Sequence, residues 1–163
     1  MMSLLRIAIA QIDLAVGDRK ANYDKVERML SSKWVQSDIP TAVILPEIWD
    51  VGYVIEESHK YGDPDASRAA EFLGKLALKY NCWFTGGSVL ALTDKGAANR
   101  AMVIDPSGNY IASYDKIHLI PLMEEEKFLL PGEKRVLFNI GDIPAALAIC
   151  YDLRFCELTR QYA

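Results

Sequence analysis

Short apolar runs alternate with segments of helical periodicity in the first half of the chain. Residues 5–10 and 42–45 are apolar runs of the buried-strand type, and each is followed by a segment whose apolar residues recur at helical spacing. Asp18 precedes the first segment, and Asp63-Pro64-Asp65 provides a start signal for the second. The apolar residues that share a helix face are Tyr23, Val26, Leu30 and Trp34 in the first segment and Ala66, Ala69, Leu73, Leu76, Ala77 and Tyr80 in the second. This alternation predicts an α/β fold with parallel crossovers.

The second half of the chain has the pattern of antiparallel strands. Turn signals at residues 93–96 and 106–109 separate apolar runs, and the second turn joins its flanking runs as a hairpin. Residues 153–163 have the pattern of an amphipathic helix that begins near the end of the sequence. The strands predicted in this half are residues 82–92, 101–104, 110–114, 136–140 and 145–149. We find no repeat or linker, so we predict one domain over residues 1–163 with a mixed sheet.

The composition narrows the classes of partner. The chain is 51% hydrophobic and 25% charged, as in an ordinary globular protein, and its net charge of −4 is spread without long blocks of either sign. No apolar run approaches the ~20 residues of a membrane helix, and the N-terminus lacks the basic start and apolar core of a signal peptide. We therefore expect a cytoplasmic protein with a small-molecule partner, and neither nucleic acid nor a membrane.

The cysteine pattern is not that of a disulfide-rich protein or of a structural zinc protein. Cys82, Cys150 and Cys156 stand at wide or irregular spacing, and the chain has only His59 and His118 besides. This set matches neither a disulfide framework nor a structural zinc site. We expect reduced thiols and no metal or organic cofactor.

Three apolar runs end in residues that carry chemistry. Glu47 follows residues 42–45, Lys116 follows the run that starts at Tyr110, and Cys150 follows residues 145–149. The carboxyl ends of strands are where α/β sheets place reactive groups, and a helix start beyond a cysteine would favour its thiolate. Each residue also has a plain structural interpretation, as a core cysteine, a surface lysine or a solvated loop acid.

The order of these residues resembles the nitrilase superfamily of carbon-nitrogen hydrolases. The resemblance runs from residue 6 to the last residue, and several motifs carry it jointly. These motifs are Leu45-Pro46-Glu47-Ile48-Trp49 with Gly52-Tyr53, Gly86-Gly87-Ser88, Asn99, Tyr114-Asp115-Lys116-Ile117-His118-Leu119, Glu125 seven residues before Gly132, and Ile149-Cys150-Tyr151-Asp152-Leu153-Arg154-Phe155.

The resemblance implies a four-layer αββα sandwich with a Glu-Lys-Cys triad. By position, Glu47 is the general base and acid, Lys116 the cationic stabiliser and Cys150 the nucleophile, with Glu125 as a supporting carboxylate. The chemistry agrees with these residue types, because an amide carbonyl is a poor electrophile that needs a thiolate and a positive group at the developing oxyanion. The backbone N–H of Tyr151 would be a second oxyanion donor.

Other residues receive roles by their place in these motifs. Trp49, Tyr53 and Tyr151 are expected to contact substrate or wall its pocket. His118 is expected to be structural, hydrogen-bonded beneath the lysine. An ion pair between Asp152 and Arg154 is expected to shape the turn after the nucleophile.

The motifs around Glu47 and residues 122–125 look most like the bacterial ω-amidase-like branch. Its members hydrolyse the terminal amide of small dicarboxylic monoamides such as 2-oxoglutaramate. Nitrilase and N-carbamoyl amino acid amidohydrolase activities are alternatives. An alternative of another class is an inactive fragment that serves as a binding module.

The resemblance also implies a missing segment. Family members run to roughly 260 residues. The chain would then be the N-terminal portion of the family domain, ending after the nucleophile-bearing strand and the start of the next helix. We expect exposed strand edges and apolar surface covered by a partner chain, in a homodimer or higher homo-oligomer.

Overall fold

The computed structural model describes residues 4–163, so Met1 to Ser3 of the predicted N-terminal segment lie outside the described part. Short helices and strands alternate along it. The helices are α1 Arg19–Lys33, α2 Ser58–Tyr61, α3 Ser67–Tyr80 and α4 Cys156–Tyr162. The strands are β1 Arg6–Ile9, β2 Thr41–Ile44, β3 Asp63–Pro64, β4 Trp83–Gly86, β5 Ser88–Thr93, β6 Gly96–Ile104, β7 Tyr110–Asp115, β8 Leu137–Ile140 and β9 Ile143–Ala146.

Seven strands form one mixed sheet. β1, β2 and β4 are parallel neighbours, as the strand and helix alternation predicts. β4 and β5 both pair antiparallel with β6, and β7 pairs antiparallel along the other edge of β6. The short β3 lies parallel beside β5, while β8 and β9 form a separate antiparallel hairpin. The predicted combination of parallel and antiparallel pairing is confirmed.

The two long helices begin where the sequence signals place them. The Asp18 side chain accepts a hydrogen bond of 2.9 Å from the N–H of Ala21 at the start of α1. The Asp63 carboxylate accepts from the N–H groups of Arg68 and Ala69 at 3.1 and 2.8 Å. Because these donors have no partner within the helix, the two aspartates fix the start of α1 and α3.

The sheet carries different layers on its two faces. Val26 of α1 and Leu73 of α3 pack in one apolar cluster with Met102 of β6. The neighbouring Ala101 and Val103 point to the other face, because side chains alternate along a strand. There they contact the segment that includes β8 and the residues before the nucleophile, namely Val136, Phe138, Leu147 and Ile149. The second face thus supports the part of the chain that carries Cys150.

Residues 82–92 form two strands, although the pattern predicts one. Gly87 interrupts the run with φ +84°, a left-handed conformation that glycine adopts without strain. A Cβ at this position would lie 2.6 Å from Cβ of Leu45. The close approach of Gly87 to the chain before Glu47 therefore bends the strand.

The segment before Cys150 also differs from the prediction. β9 ends at Ala146, so the strand predicted to reach Ile149 stops three residues earlier. The N–H of Ile149 donates to a carboxylate oxygen of Asp152 at 2.9 Å in place of a strand neighbour. Cys150 thus starts a short 3₁₀ helix, residues 150–154, after an extended linker.

An apolar surface is exposed at one edge of the sheet, as the sequence predicts. β1 pairs only with β2 in the described sheet, and its Ile7 and Ile9 are 56% and 76% exposed. Their side chains point to the face of the sheet opposite to that of Ala8, which packs against the helical layer.

Within residues 4–163, no helix is long and apolar enough to cross a membrane.

Candidate active site

Three hydrogen bonds to Ser88 hold the loop that carries Glu47. The N–H of Ser88 donates to the Pro46 oxygen at 3.1 Å. The side-chain Oγ of Ser88 accepts from the N–H of Ile48 at 2.9 Å, and the backbone oxygen of Ser88 accepts from the N–H of Trp49 at 2.9 Å. Because Ser88 is buried and holds both sides of the loop, Glu47 is presented in a fixed orientation.

Lys116 lies directly beyond β7, with its side chain fully buried. Its N–H donates to the Asn99 oxygen at 2.9 Å, and its carbonyl accepts from the N–H of Gly132 at 2.8 Å. The Nζ atom is 3.0 Å from Oε1 of Glu47 and 2.9 Å from Oε1 of Glu125. Burial opposes the charge, but hydrogen bonds to the two carboxylates raise the pKa of Lys116 above its usual value. The site therefore has a charged lysine between two glutamates.

Glu125 is turned inward from a short 3₁₀ helix. Its Oε1 accepts from Lys116 Nζ and from the hydroxyl of Tyr53, and its Oε2 accepts from the N–H of Ile120 at 2.7 Å. The side chain is fully buried, whereas Glu124 and Glu126 are exposed. Three donors keep this carboxylate oriented toward the lysine.

Cys150 stands at φ +46° at the start of the 3₁₀ helix. Cys150 and Glu47 line the same cavity. Although Cys150 is an exposed residue, partial burial of its sulfur and the negative charge of Glu47 raise the pKa of the thiol, and Lys116 offsets this only in part. The sequence analysis expected a thiolate favoured by the lysine and the helix start, and this expectation is wrong for the free site. The thiol keeps its proton beside a carboxylate that can accept it.

Asp152 joins the nucleophile turn to the lysine segment. Its buried carboxylate accepts from the N–H of Ile149 at 2.9 Å, from the hydroxyl of Tyr114 at 2.6 Å and from the N–H of His118 at 2.9 Å. Nδ1 of His118 lies 2.8 Å from the same carboxylate. The expected ion pair between Asp152 and Arg154 is not formed, since Arg154 is exposed. His118, two residues after Lys116, is hydrogen-bonded to Asp152. The pairs span 34 and 38 residues, so local spacing gave no signal for them.

Trp49 does not wall the pocket, contrary to the sequence analysis. It is 1% exposed and stacks on Tyr23, with 5.1 Å between ring centroids, in the cluster beneath the helices. Ile48 has φ +45°, and this turn directs the next residue into the core. The indole therefore lies in the core, beneath the loop that carries Glu47.

Tyr53 and Tyr151 lie closer to the site. Tyr53 is 39% exposed and donates to Glu125, and burial with this hydrogen bond raises the pKa of its hydroxyl. Tyr151 follows Cys150 in the first turn of the 3₁₀ helix, where a backbone N–H has no acceptor within the helix. That N–H is a candidate oxyanion donor.

A cavity of about 300 Å³ lies between the sheet and the segment before Cys150. Glu47 and Cys150 both line it, and the other lining residues are mostly small or apolar. They include Thr85, Gly86, Ala101 and Ala148. Its volume fits a small ligand. Over residues 4–163, no three side chains of His, Cys, Asp or Glu are grouped to hold a metal ion.

A buried lysine between two glutamates, with a thiol beside one of them, on a mixed α/β sheet is the arrangement expected for the nitrilase superfamily. The sequence comparison agrees with this class. The chain belongs to the carbon-nitrogen hydrolase family, whose sequence profile matches residues 6–163.

Known relatives support this placement. The chain is 32% identical over 161 residues to a protein named "Hydrolase in agr operon" from Staphylococcus aureus, covering 96% of this chain and 60% of that protein. It is 30% identical over 156 residues to 2-oxoglutaramate amidase of Bacillus subtilis, covering 96% of this chain and 59% of that enzyme.

A solved structure extends the comparison to the fold. XC1258 from Xanthomonas campestris, described as a CN-hydrolase superfamily protein with an arsenic adduct in its active site, aligns with a TM-score of 0.82 at 29% identity. The alignment covers 93% of this chain and 55% of that one. The predicted fold class is confirmed, and the chain spans about 60% of the length of the two relatives above.

Gly132 leads to a first prediction, because it packs directly against the segment that presents Lys116. A Cβ at Gly132 would lie 2.0 Å from the backbone oxygen of Asp115. We expect Gly132→Ala to lower the free energy of unfolding by about 3 kcal/mol, measured by denaturant titration. Gly141→Ala is the control, because its Cβ would meet nothing within 4 Å and only its φ of +60° costs about 1 kcal/mol. Equal losses in both variants would show that this contact does not hold the segment.

Proposed function

We propose that the protein hydrolyses the carbon-nitrogen bond of a small linear amide through a thioester on Cys150, with release of ammonia. The observation that carries this proposal is the placement of Lys116 between two carboxylates, with the Cys150 thiol beside one of them. This set supplies a nucleophile, an acid/base group and a fixed positive charge without a cofactor.

The first step forms the covalent bond. Glu47 accepts the proton of Cys150, and the sulfur attacks the amide carbon to give a tetrahedral oxyanion. Lys116 Nζ and the N–H of Tyr151 are positioned to stabilise the negative charge on that oxygen. The raised pKa of the thiol fits this order, since the proton leaves when a substrate is present to use the thiolate.

In the remaining steps Glu47 gives this proton to the leaving nitrogen and then transfers a second proton from water to the sulfur. Glu47 gives its proton to the departing nitrogen, the carbon-nitrogen bond breaks, and ammonia leaves behind a thioester. Glu47 then takes a proton from water as the water oxygen attacks the thioester carbonyl. Collapse of this second intermediate releases the carboxylic acid, and the sulfur regains its proton from Glu47.

Glu125 has a different task in this scheme. Its oxygens accept hydrogen bonds from Lys116, Tyr53 and Ile120, so both oxygens are engaged as acceptors. It keeps the lysine charged and aimed at the oxyanion, and Glu47 alone carries protons.

The substrate that we propose is the terminal amide of a small carboxylic acid. The relative named 2-oxoglutaramate amidase supports this choice at 30% identity. The volume of about 300 Å³ beside Glu47 and Cys150 suits a compact molecule. Nitriles and N-carbamoyl amino acids are the competing substrates, since either could accept a thiolate at carbon.

A substrate panel tests this proposal. The full-length gene product is incubated with 2-oxoglutaramate, with a matched small nitrile and with an N-carbamoyl amino acid, and ammonia is measured. We expect the highest kcat/KM with the amide. A preference for the nitrile or the carbamoyl compound would replace the proposed substrate, and no release from any of them would contradict the proposed function.

Thiol labelling gives a second prediction. Cys82 is fully buried, and burial raises its pKa to about 12, so iodoacetamide should label it at least about tenfold more slowly than Cys150 at pH 8. Cys156 is exposed and should also be labelled. A thiolate favoured by the helix start, as the sequence analysis expected, would make Cys150 react fastest, but the raised pKa of its thiol removes this reason.

Substrate protection distinguishes the two exposed thiols. A slowly hydrolysed amide should slow the labelling of Cys150 and leave Cys156 unchanged, as followed by peptide mass mapping. Equal protection of Cys150 and Cys156 would be inconsistent with the placement of the cavity. Fast labelling of Cys82 would be inconsistent with its burial.

A further inference from the structure

Asn99 is a fully buried polar residue on β6 that the mechanism above does not use. Its Nδ2 donates a hydrogen bond of 2.8 Å to Oε1 of Glu47. Its backbone oxygen accepts from the N–H of Lys116 at 2.9 Å. One residue therefore contacts the acid/base carboxylate and the backbone that presents the lysine.

These contacts make the two oxygens of Glu47 unequal. Oε1 accepts from Asn99 Nδ2 at 2.8 Å and from Lys116 Nζ at 3.0 Å. An amide NH₂ and an ammonium group can only donate, so a proton on Oε1 would face two donors. Oε1 thus stays an acceptor in both protonation states of the carboxyl group.

We propose that Asn99 is a positioning residue that reserves Oε1 of Glu47 as an acceptor and leaves Oε2 to take and release the catalytic proton. This role rests on the proposed function, since only a group that transfers protons needs one oxygen kept free. Lys116 alone could hold Oε1 at one point, but the second donor fixes the rotation of the carboxylate plane. The proton-carrying oxygen then has one direction, toward Cys150 and the substrate.

The other end of the Asn99 side chain supports this inference. Its Oδ1 is buried and has no hydrogen-bond partner among the described residues. An unpaired buried carbonyl lowers stability, so an apolar side chain of the same shape would suit the local packing better. Sites where a residue costs stability are expected where function requires it. The amide is retained here for its donor, which serves Glu47.

Asn99 also differs from the titratable groups around Glu47, because its side chain cannot gain or lose a charge. The titratable groups that face this carboxylate are Lys116, Glu125, Tyr53 and Cys150. A change of Asn99 to leucine therefore alters the hydrogen bond without altering the charge of the site. A change to aspartate keeps the shape and reverses the donor to a negative acceptor.

The test uses both variants in the full-length gene product. For Asn99→Leu we expect kcat to fall about 10- to 100-fold with KM changed less than about threefold, because the carboxylate loses its alignment. The melting temperature should be equal or higher, and iodoacetamide should label Cys150 at a rate within about threefold of the wild type. This combination separates positioning from structural support, which would move all the readouts together.

Two results would overturn the role of Asn99. One is a kcat for Asn99→Leu within about threefold of the wild type. The other is a parallel loss of kcat, melting temperature and labelling rate, which would show support of the fold only.

The aspartate variant remains informative if no amide is hydrolysed. Absence of hydrolysis by the wild type would defeat the proposed function, yet Asn99→Asp would still test the contact through the thiol. A carboxylate against Glu47 should slow the labelling of Cys150 at pH 7 several-fold, since added negative charge disfavours a thiolate. Asn139→Asp, at an exposed position on β8, is the matched control and should leave the rate unchanged. Equal rates in wild type and Asn99→Asp would overturn the placement of Asn99 beside the acid/base group.

Discussion

Replacing Cys150 with alanine should abolish amide hydrolysis, with kcat lowered roughly 10⁴-fold or more, because the variant lacks the thiol that forms the acyl intermediate in the proposed mechanism. The change should leave the fold intact, since the side chain is exposed and alanine has the same Cβ at φ +46°. Ammonia release and a thermal melt of the same sample measure the two effects.

Cys156→Ala is the matched control for this variant. Cys156 is an exposed thiol six residues further along, and its sulfur contacts the neighbouring Glu157 rather than the triad. We expect its kcat to stay within about twofold of the wild type, as for an exposed surface substitution. A Cys150→Ala variant that retains activity, or a Cys156→Ala variant that loses it, would show that the nucleophile has been assigned to the wrong residue.

Replacing Lys116 with methionine should lower kcat/KM by a factor that corresponds to about 3 kcal/mol or more, the usual scale for a lost oxyanion stabiliser. The structure predicts a second effect, because the buried Glu125 carboxylate would lose its cation. Breaking such a buried pair costs roughly 3–5 kcal/mol of stability.

A double variant separates the two effects of the lysine. Lys116→Met combined with Glu125→Gln removes the uncompensated charge, so stability should recover while activity stays low. Lys127→Met is the control, because this exposed lysine pairs with the exposed Glu124 and with no other acid of residues 4–163. Near-normal kcat/KM in the Lys116→Met protein would identify Lys116 as structural.

The sequence predicted which residues come together at the candidate site better than it predicted their surroundings. Glu47, Lys116 and Cys150 could be selected because each follows an apolar run and because their order resembles one family. Trp49 could not be placed, since adjacency to Glu47 does not tell which way the next side chain points. That direction depends on the positive φ of Ile48, which a β-branched residue rarely adopts.

The interactions that orient the site were beyond the reach of local patterns. The partners of Asp152 are 34 and 38 residues away, and Asn99 is 52 residues from Glu47. Such pairs are set by how strands align in the sheet, and a single sequence contains no period that reports them. The pKa of Cys150 likewise depends on burial and on Glu47 more than on the helix start beside it.

The split of residues 82–92 has a physical cause that only the packing reveals. The sequence pattern predicted one strand through Gly87 and gave no reason for the chain to turn there. The reason is the contact with Leu45, which lies two residues before Glu47. The bend thus lies next to Ser88, whose hydrogen bonds fix the loop that carries Glu47.

The most direct test of the account is to trap the acyl intermediate. The full-length gene product is mixed with 2-oxoglutaramate, quenched in acid at early times, digested and analysed by mass spectrometry. We predict an acyl adduct on the peptide that contains Cys150, formed with the first release of ammonia and absent in the Cys150→Ala variant. Steady ammonia release with the acyl group on another residue, or undiminished release by the alanine variant, would contradict the claim that Cys150 is the nucleophile.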